Sequence, residues 1–77
     1  MKININKRWN NTTIDVLIYN GNKEIINWFS YIDVWGSKGY DRFNDGGIYF
    51  EIPSCMYDVI EELPFIAKYN ISVIKRD

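Results

Sequence analysis

The sequence contains no histidine and only one cysteine, Cys55, among its 77 residues. Without histidine, neither a thiol–imidazole nor a hydroxyl–imidazole pair can be assembled for nucleophilic catalysis. One thiol cannot form an internal disulfide or supply a structural zinc set. Catalysis by carboxylates alone stays open through Asp33, Asp41, Asp45 and Glu51, but so small a domain has little room for a substrate cleft. We therefore predict a protein that has no enzymatic activity and needs no metal or cofactor. We interpret Cys55 as a small buried side chain, and a reactive thiolate at a helix start stays open as the alternative.

The sequence also lacks an excess of one charge and a long apolar run. Nine lysines and arginines face ten acids, which leaves a net charge of −1. The molecule as a whole therefore neither attracts nucleic acid strongly nor mimics it. No apolar stretch approaches the ~20 residues needed to span a bilayer, and the first residues lack the apolar core of a signal peptide. We expect a cytoplasmic protein without a membrane span.

Alanine is almost absent, occurring only as Ala67, whereas isoleucine, asparagine, lysine and tyrosine are abundant. This usage is typical of genes rich in AT codons and indicates a low-GC bacterium or one of its phages. The length predicts a single compact domain over residues 1–77. A domain of this size buries only ~60% of the surface that its unfolded chain exposes.

Four segments predict β-strands. Apolar residues recur at every second position through most of KININKRW (2–9), IDVLIY (14–19), GGIYFEI (46–52) and ISVIKR (71–76). A period of two indicates a strand with one buried face. The first two segments are joined by the short turn NNTT, so we expect them to form an antiparallel hairpin.

Residues 24–35 admit two interpretations. A helix capped by Asn22 would place Ile25 and Phe29 on one face. Against this, the segment is rich in β-branched and aromatic residues, and it follows an Asn-Gly pair at 20–21 that favours a hairpin turn. The strand is the preferred interpretation, and the helix stays open as the alternative.

A helix is predicted over about residues 54–69. Ser54 is the predicted N-cap, and apolar residues that include Val59 and Ile60 recur with helical spacing. Pro64 either kinks this helix or begins a new short one. The predicted fold is α+β: a small antiparallel or mixed sheet of about four to five strands, with this helix packed on one face.

Aromatic residues make up 17% of the chain, which is more than one small core can hide, so we expect some of them to be exposed. The core is expected to contain Trp28, Phe29, Tyr31, Phe50 and Phe65.

The stretch WGSKGYDRFNDGG (35–47) is the main candidate for a site. Its lysine precedes the second glycine instead of following it, so the pattern of a phosphate-binding P-loop fails. Asp41 and Asp45 fit the spacing of a calcium-binding EF-hand loop. Phe43 and Ile52 occupy positions of that loop that need oxygen ligands. Neither a phosphate cradle nor a calcium site is therefore predicted.

Tryptophan, tyrosine and arginine, which carry much of the binding energy at protein interfaces, all occur in this stretch. Connections between elements run over the surface, so these side chains are expected to be exposed. The interpretation that stays open beside this one is a turn whose aromatic residues fold back onto the sheet edge. The predicted protein-binding residues are Trp35, Lys38, Tyr40, Asp41, Arg42, Phe43 and Asp45.

A basic and aromatic set forms the alternative site. Basic side chains beside an aromatic ring suit single-stranded nucleic acid. The chain lacks the aromatic-glycine signatures of common RNA-binding sheets, which argues against this function. The set would cluster if the first and last strands are neighbours, and it consists of Lys2, Lys7, Arg8, Trp9, Lys75 and Arg76.

The predicted function is that of a small, non-enzymatic protein-binding module, and binding of single-stranded nucleic acid is the alternative. Its expected partner is another protein, and a homodimer stays open. Small, signal-free proteins of AT-rich genes with an aromatic, charged loop have the character of phage or mobile-element proteins. By that analogy, we expect an inhibitor of a bacterial host enzyme or of an immune (CRISPR-type) effector.

Overall fold

The computed structural model describes residues 1–34 and 47–76. The strands are β1 (Lys2–Lys7), β2 (Thr13–Tyr19), β3 (Ile48–Pro53) and β4 (Ser72–Arg76), and the helices are α1 (Lys23–Ile32) and α2 (Pro64–Lys68). Two short 3₁₀ turns, Ser54–Met56 and Ile60–Glu62, lie between β3 and α2. Neither of the described helices is long and apolar enough to cross a membrane.

The four strands form one sheet in the order β3-β2-β1-β4. β1 is parallel to β4 and antiparallel to β2, and β2 is antiparallel to β3. The first and last strands of the chain are therefore neighbours. The prediction of a small α+β fold with a mixed sheet is confirmed.

The hairpin between β1 and β2 is built by two asparagines. Asn10 Oδ1 accepts hydrogen bonds from the backbone N–H groups of Thr12 and Thr13 at 3.1 and 3.2 Å. Asn11 has a φ of 59°, a left-handed conformation that asparagine tolerates better than most residues. The antiparallel pairing predicted for these two segments is confirmed, and it places their alternate aliphatic residues on one face of the sheet.

The preferred strand interpretation of residues 24–35 is wrong, because α1 occupies residues 23–32; Trp35 lies outside the described residues. Asn22 Oδ1 accepts a hydrogen bond from the Ile25 N–H at 3.0 Å, which caps the helix as the alternative interpretation predicts. Ile25 and Phe29 lie four residues apart and are fully buried. The cap and this buried pair outweigh the β-propensity of the segment.

Both α-helices pack on the same face of the sheet. The Phe29 ring lies 6.0 Å from the Phe50 ring of β3 and 6.2 Å from the Phe65 ring of α2. These three aromatic residues are in the core as predicted, and Trp28 is partly buried against it. The prediction for Tyr31 is wrong, since it is 89% exposed. The buried core consists of Ile3, Ile5, Ile14, Val16, Ile18, Ile25, Phe29, Phe50, Ile52, Ile60, Phe65 and Ile71.

The continuous helix predicted over residues 54–69 is replaced by two 3₁₀ turns and the five-residue helix α2. Pro64 begins α2, and the preceding Leu63 is extended, with ψ at 139°. Proline disfavours the helical conformation of the residue before it and lacks the N–H that would continue the hydrogen-bond ladder. The alternative of a new short helix at Pro64 is therefore confirmed.

Three side-chain predictions for this segment are corrected. Ser54 is not a helix cap, because its hydroxyl donates a hydrogen bond to the Asn11 carbonyl at 3.1 Å. Cys55 is exposed instead of buried. Val59 is 38% exposed, whereas its neighbour Ile60 is fully buried. In a 3₁₀ turn the side chains repeat every three residues, so the face expected of an α-helix is not the face that is buried here.

The two outer strands of the sheet differ in what lies beside them. The Val34 N–H donates to the Glu51 carbonyl at 2.8 Å, and the Glu51 N–H donates to Asp33 Oδ1 at 3.2 Å. The chain leaving α1 therefore covers the outer edge of β3 at its middle. On the opposite side, within residues 1–34 and 47–76, β4 has β1 as its only strand neighbour.

Candidate functional site

The predicted protein-binding residues lie outside the described part of the chain; they are Trp35, Lys38, Tyr40, Asp41, Arg42, Phe43 and Asp45. Immediately before them, α1 presents a solvent-facing row at a spacing of three and four residues, formed by Glu24, Asn27 and Tyr31. Val34 continues this row beyond the helix end. Tyr31 is 89% exposed and Val34 is 54% exposed. We call these two residues the α1-end surface.

The other end of the row is held to α2. Glu24 accepts hydrogen bonds from the Tyr69 hydroxyl and, at 3.3 Å, from the Lys68 ammonium. The hydrogen bond from Tyr69, followed by the one from Lys68, lowers the pKa of Glu24 below its usual range. The polar start of α1 is therefore occupied within the fold, and its aromatic end faces solvent.

The parallel pairing of β1 and β4 brings part of the predicted basic set together. The ammonium groups of Lys7 and Lys75 each lie 4.6 Å from the centre of the Tyr57 ring, within the range of cation–π attraction. Lys75 also forms an ion pair with Glu61 at 2.6 Å. The hydrogen bond between Lys75 and Glu61 is the main cause of the raised pKa of Lys75.

The rest of the basic set is dispersed. Lys2 lies at the opposite end of β1 from Lys7, with its ammonium 4.9 Å from the centre of the Tyr19 ring. Lys7 and Lys75 both lie over the Tyr57 ring. Successive side chains of a strand point to opposite faces, so Arg8 and Arg76, which directly follow these lysines, lie on the other face of the sheet. A single basic face that includes all of these residues is therefore not formed.

Arg8 belongs to a polar network on the face of the sheet opposite α1 and α2. Its Nη1 donates to Asp15 Oδ1 at 2.9 Å and to the Tyr49 hydroxyl at 3.3 Å, and it lies 3.3 Å from Glu51 Oε1. The Tyr49 hydroxyl donates to Asp15 at 2.6 Å, and the Thr13 hydroxyl donates to Glu51 Oε2 at 2.8 Å. These bonds occupy the charges of Arg8 and of both carboxylates within the fold.

The network also changes proton affinities. Burial and the hydrogen bond to Asp15 raise the pKa of Tyr49 above its usual range, and the hydrogen bond to the same carboxylate raises that of Arg8. Sequence reasoning missed this network. No local signal marks it, because the register that places Asp15 opposite Glu51 is seen only in the folded sheet. Two directly opposed acids are unfavourable without a cation beside them, and Arg8 supplies it.

A cavity of about 160 Å³ opens between the β1–β2 hairpin and the first 3₁₀ turn. We call it the hairpin pocket. Trp9 is 88% exposed and lies in the hairpin between two residues of the pocket wall. The sequence pointed to Lys7, Arg8 and Trp9 but not to the segment that completes the wall. The pocket is lined by Lys7, Arg8, Asn11, Thr13, Ile14, Ser54 and Tyr57.

No protein-family model, no curated protein and no solved structure matches this chain. In the part of the chain that the structure describes, no cluster of three or more Asp, Glu, Cys or His side chains could hold a metal ion. Function is therefore argued from the chain's own surfaces. Within residues 1–34 and 47–76, exposed aromatic side chains lie on two surfaces: Tyr31 on the α1-end surface and Trp9 on the hairpin.

Proposed function

We propose that this protein acts by binding another protein, without chemistry of its own. The observation that carries the proposal is the exposure of Tyr31, at 89%, on a helix whose buried face is fixed by Ile25 and Phe29. A burial of ~150 Å² per aromatic side chain at ~25 cal/mol per Å² gives up to ~4 kcal/mol. A partner that covers Tyr31 would gain energy of the size found at interface hot spots.

The α1-end surface leads directly into the residues predicted from the sequence to bind a partner. Val34 is 54% exposed, and Trp35 follows it in the chain. The proposed interface therefore joins Tyr31 and Val34 with the aromatic and charged residues that begin at Trp35. A helix end is a suitable platform for such an interface, because binding side chains on rigid elements lose less entropy on association.

We further propose that the partner is an enzyme or an immune (CRISPR-type) effector in the cytoplasm of a low-GC bacterium, and that the protein is a phage or mobile-element inhibitor. The support is compositional: a single alanine among 77 residues, with isoleucine and asparagine in abundance. The small domain and its exposed aromatic helix end are compatible with a role in blocking a larger protein.

The test is affinity capture from a low-GC bacterial lysate with three forms of the protein: wild type, Tyr31→Ala and Asn27→Ala. Asn27 is the matched control, since it is exposed on the same face of α1, one turn earlier, and has no apolar surface comparable to tyrosine. We expect one partner to be captured by wild type and Asn27→Ala. Tyr31→Ala should bind it about 30-fold more weakly, which corresponds to ~2 kcal/mol.

Unfolding must be measured on the same variants. Both substitutions should change the free energy of unfolding by less than ~0.5 kcal/mol, because both side chains are exposed. A partner that binds wild type and Tyr31→Ala equally well would contradict the proposed interface. Arg42→Ala tests the predicted segment in the same assay.

A further inference from the structure

We propose that two copies of this protein pair through β4, with the two strands antiparallel and Ile74 of one copy opposite Ile74 of the other. The two four-stranded sheets then form one continuous sheet. Within residues 1–34 and 47–76, β4 has β1 as its only strand neighbour. An outer strand is a common site of recognition, because its unpaired backbone groups can bond to another strand.

The backbone groups that β4 offers to a second copy follow from its pairing with β1. The Ser72 N–H donates to the Met1 carbonyl at 3.4 Å, so the backbone of Ser72 faces β1. The backbone groups of successive residues point to opposite sides of a strand, so the N–H and C=O groups of Val73 and Lys75 face away from β1. Each copy therefore presents two donors and two acceptors along the open side of β4.

Antiparallel pairing about Ile74 uses all of these groups. Val73 of each copy lies opposite Lys75 of the other, and residues that face each other in this way exchange two hydrogen bonds. Both copies use the same surface, as in a dimer with two-fold symmetry. The register is therefore set by the backbone groups that β1 leaves unpaired.

The charged side chains of β4 also favour the antiparallel arrangement. In the proposed register, Lys75 lies opposite Val73 and Arg76 lies opposite Ser72 of the second copy, so no two cations face each other. A parallel pair in register would instead place Lys75 opposite Lys75 and Arg76 opposite Arg76. Like charges directly opposite each other destabilise strand pairing.

Ile74 is the apolar side chain that this pairing covers. It is 36% exposed, and it lies on the face of the sheet opposite the helices, because its neighbour Val73 packs against the core. In an antiparallel pair, opposed residues that are not hydrogen-bonded have Cα atoms only ~4.5 Å apart. The two Ile74 side chains therefore contact each other, and such β-branched pairs stabilise a sheet.

A lysine on an outer strand commonly prevents strand pairing, but the charge of Lys75 is already compensated within the fold. Its ammonium forms an ion pair with Glu61 at 2.6 Å and lies 4.6 Å from the centre of the Tyr57 ring. The Lys75 side chain is only 23% exposed. A second copy therefore meets a strand whose central cation is held away from the open side.

The β4 surface is separate from the α1-end surface. The Val34 N–H donates to the Glu51 carbonyl of β3, and β3 and β4 lie on opposite sides of the sheet. The dimer therefore carries its two α1-end surfaces away from the paired strands. Tyr31→Ala should leave dimerisation unchanged, so this proposal and the proposed protein-binding function can fail independently.

The test is sedimentation equilibrium of the full chain from about 1 μM to 1 mM, a range that includes the dissociation constants of weak complexes. We expect a reversible equilibrium between monomer and dimer. Amide hydrogen exchange, followed by NMR, should slow about tenfold at Val73 and Lys75 once ~90% of the chains are dimeric. Exchange at Ile74 should stay nearly constant, since its N–H faces β1.

A charge placed at the centre of the pair tests the contact between the two isoleucines. Ile74→Lys should weaken the dimer about tenfold, because two ammonium groups would face each other and the apolar contact would be lost. Val59→Lys is the matched control, since it adds the same charge outside β4 at a side chain that is 38% exposed. Equal weakening by the two variants would show nonspecific repulsion and overturn the proposal.

Two cysteine variants in a Cys55→Ser background test the register without adding a charge. Ile74→Cys should form a disulfide-linked dimer under mild oxidation, because a Cα separation of ~4.5 Å lies within the range of disulfides. Ser72→Cys is the matched control, because the two Ser72 residues are offset by ~13 Å along the paired strands. Equal cross-linking of both variants would contradict the antiparallel register.

A protein that stays monomeric at the highest concentration, with unchanged exchange at Val73 and Lys75, would also overturn the proposal. In that case β4 would be an edge for an extended segment of another protein.

Discussion

Replacing Phe29 by alanine should destabilise the protein far more than replacing Tyr31, and the comparison tests whether this segment is a helix. Residues two apart lie on the same face of a strand but about 200° apart on a helix. In α1, Phe29 is fully buried and Tyr31 is 89% exposed. Loss of a buried phenylalanine costs ~3–5 kcal/mol, whereas exposed substitutions stay within ~0.5 kcal/mol.

The contacts of Phe29 support the upper part of that range. Its ring lies 5.0 Å from the Trp28 ring, 6.0 Å from Phe50 and 6.2 Å from Phe65. Phe29→Ala would therefore remove the side chain through which α1 contacts both Phe50 of the sheet and Phe65 of α2. Since ~1 kcal/mol corresponds to ~4–8 °C in a domain of this size, the melting temperature should fall by more than ~12 °C.

The assay is urea unfolding followed by circular dichroism, with the free energy obtained from the midpoint and slope. A domain of this length is stable by only ~4–12 kcal/mol, so Phe29→Ala could be unfolded without urea. Phe29→Leu keeps most of the side-chain volume, so it should lower the free energy of unfolding less than Phe29→Ala and leave a folded protein that can be measured. Similar losses for Phe29→Leu and Tyr31→Leu would refute the helical arrangement.

Three further predictions concern other parts of the chain. In urea unfolding, Ile60→Ala should lower the free energy of unfolding by ~2 kcal/mol or more, and Val59→Ala should lower it by less than ~0.5 kcal/mol. Equal losses for the two variants would contradict the difference in burial between Ile60 and Val59. The pKa of Glu24 is lower in the folded protein than in the unfolded chain. Ionised Glu24 therefore stabilises the fold at pH values above the ordinary glutamate pKa of ~4.3, and this stabilisation is lost as the pH falls through the folded-state pKa. Glu24→Gln should flatten this acid part of the stability profile, and an unchanged profile would refute the linkage. Thermal melts in EDTA and in millimolar calcium should coincide; a rise of several degrees in calcium would contradict this and make Asp41 and Asp45 a candidate calcium site again.

The strands could be predicted from the sequence because their signal is local. Ile3 and Ile5 alternate with asparagines, Val16 and Ile18 likewise stand two residues apart, and all four are buried on one face. The last strand lies beside the first, which is the arrangement on which the predicted basic cluster depended. Alternation identifies the buried face without any knowledge of the partner strand.

The segment of α1 could not be decided in the same way, because its propensities and its periodicity point to different structures. The Asn22 cap and the spacing of Ile25 and Phe29 indicated a helix, whereas residue types favoured a strand. Tertiary packing against Phe50 decides between them. The continuous helix predicted over residues 54–69 is interrupted at Leu63, because Pro64 holds that residue in an extended conformation.

The candidate sites were only partly visible in the sequence. Lys7 and Trp9 stand out as a basic residue near an exposed aromatic one. Ser54 and Tyr57 complete the hairpin pocket from a distant part of the chain, and nothing local marks them. Their position depends on the pairing of β2 with β3, which brings the end of β3 beside the hairpin.

The unequal edges of the sheet limit how copies of this protein could join through their strands. At β3, the backbone of Glu51 is already bonded to residues 33–34, while in the described ranges β4 has a strand on one side only. A sheet with two open edges can add copies without limit, which is the route to fibrils. In this protein the backbone of Glu51 is not available to a second copy, so pairing along the full length of β3 is blocked at its middle. Within the described residues, β4 is therefore the outer strand along which a second copy could pair without breaking these bonds.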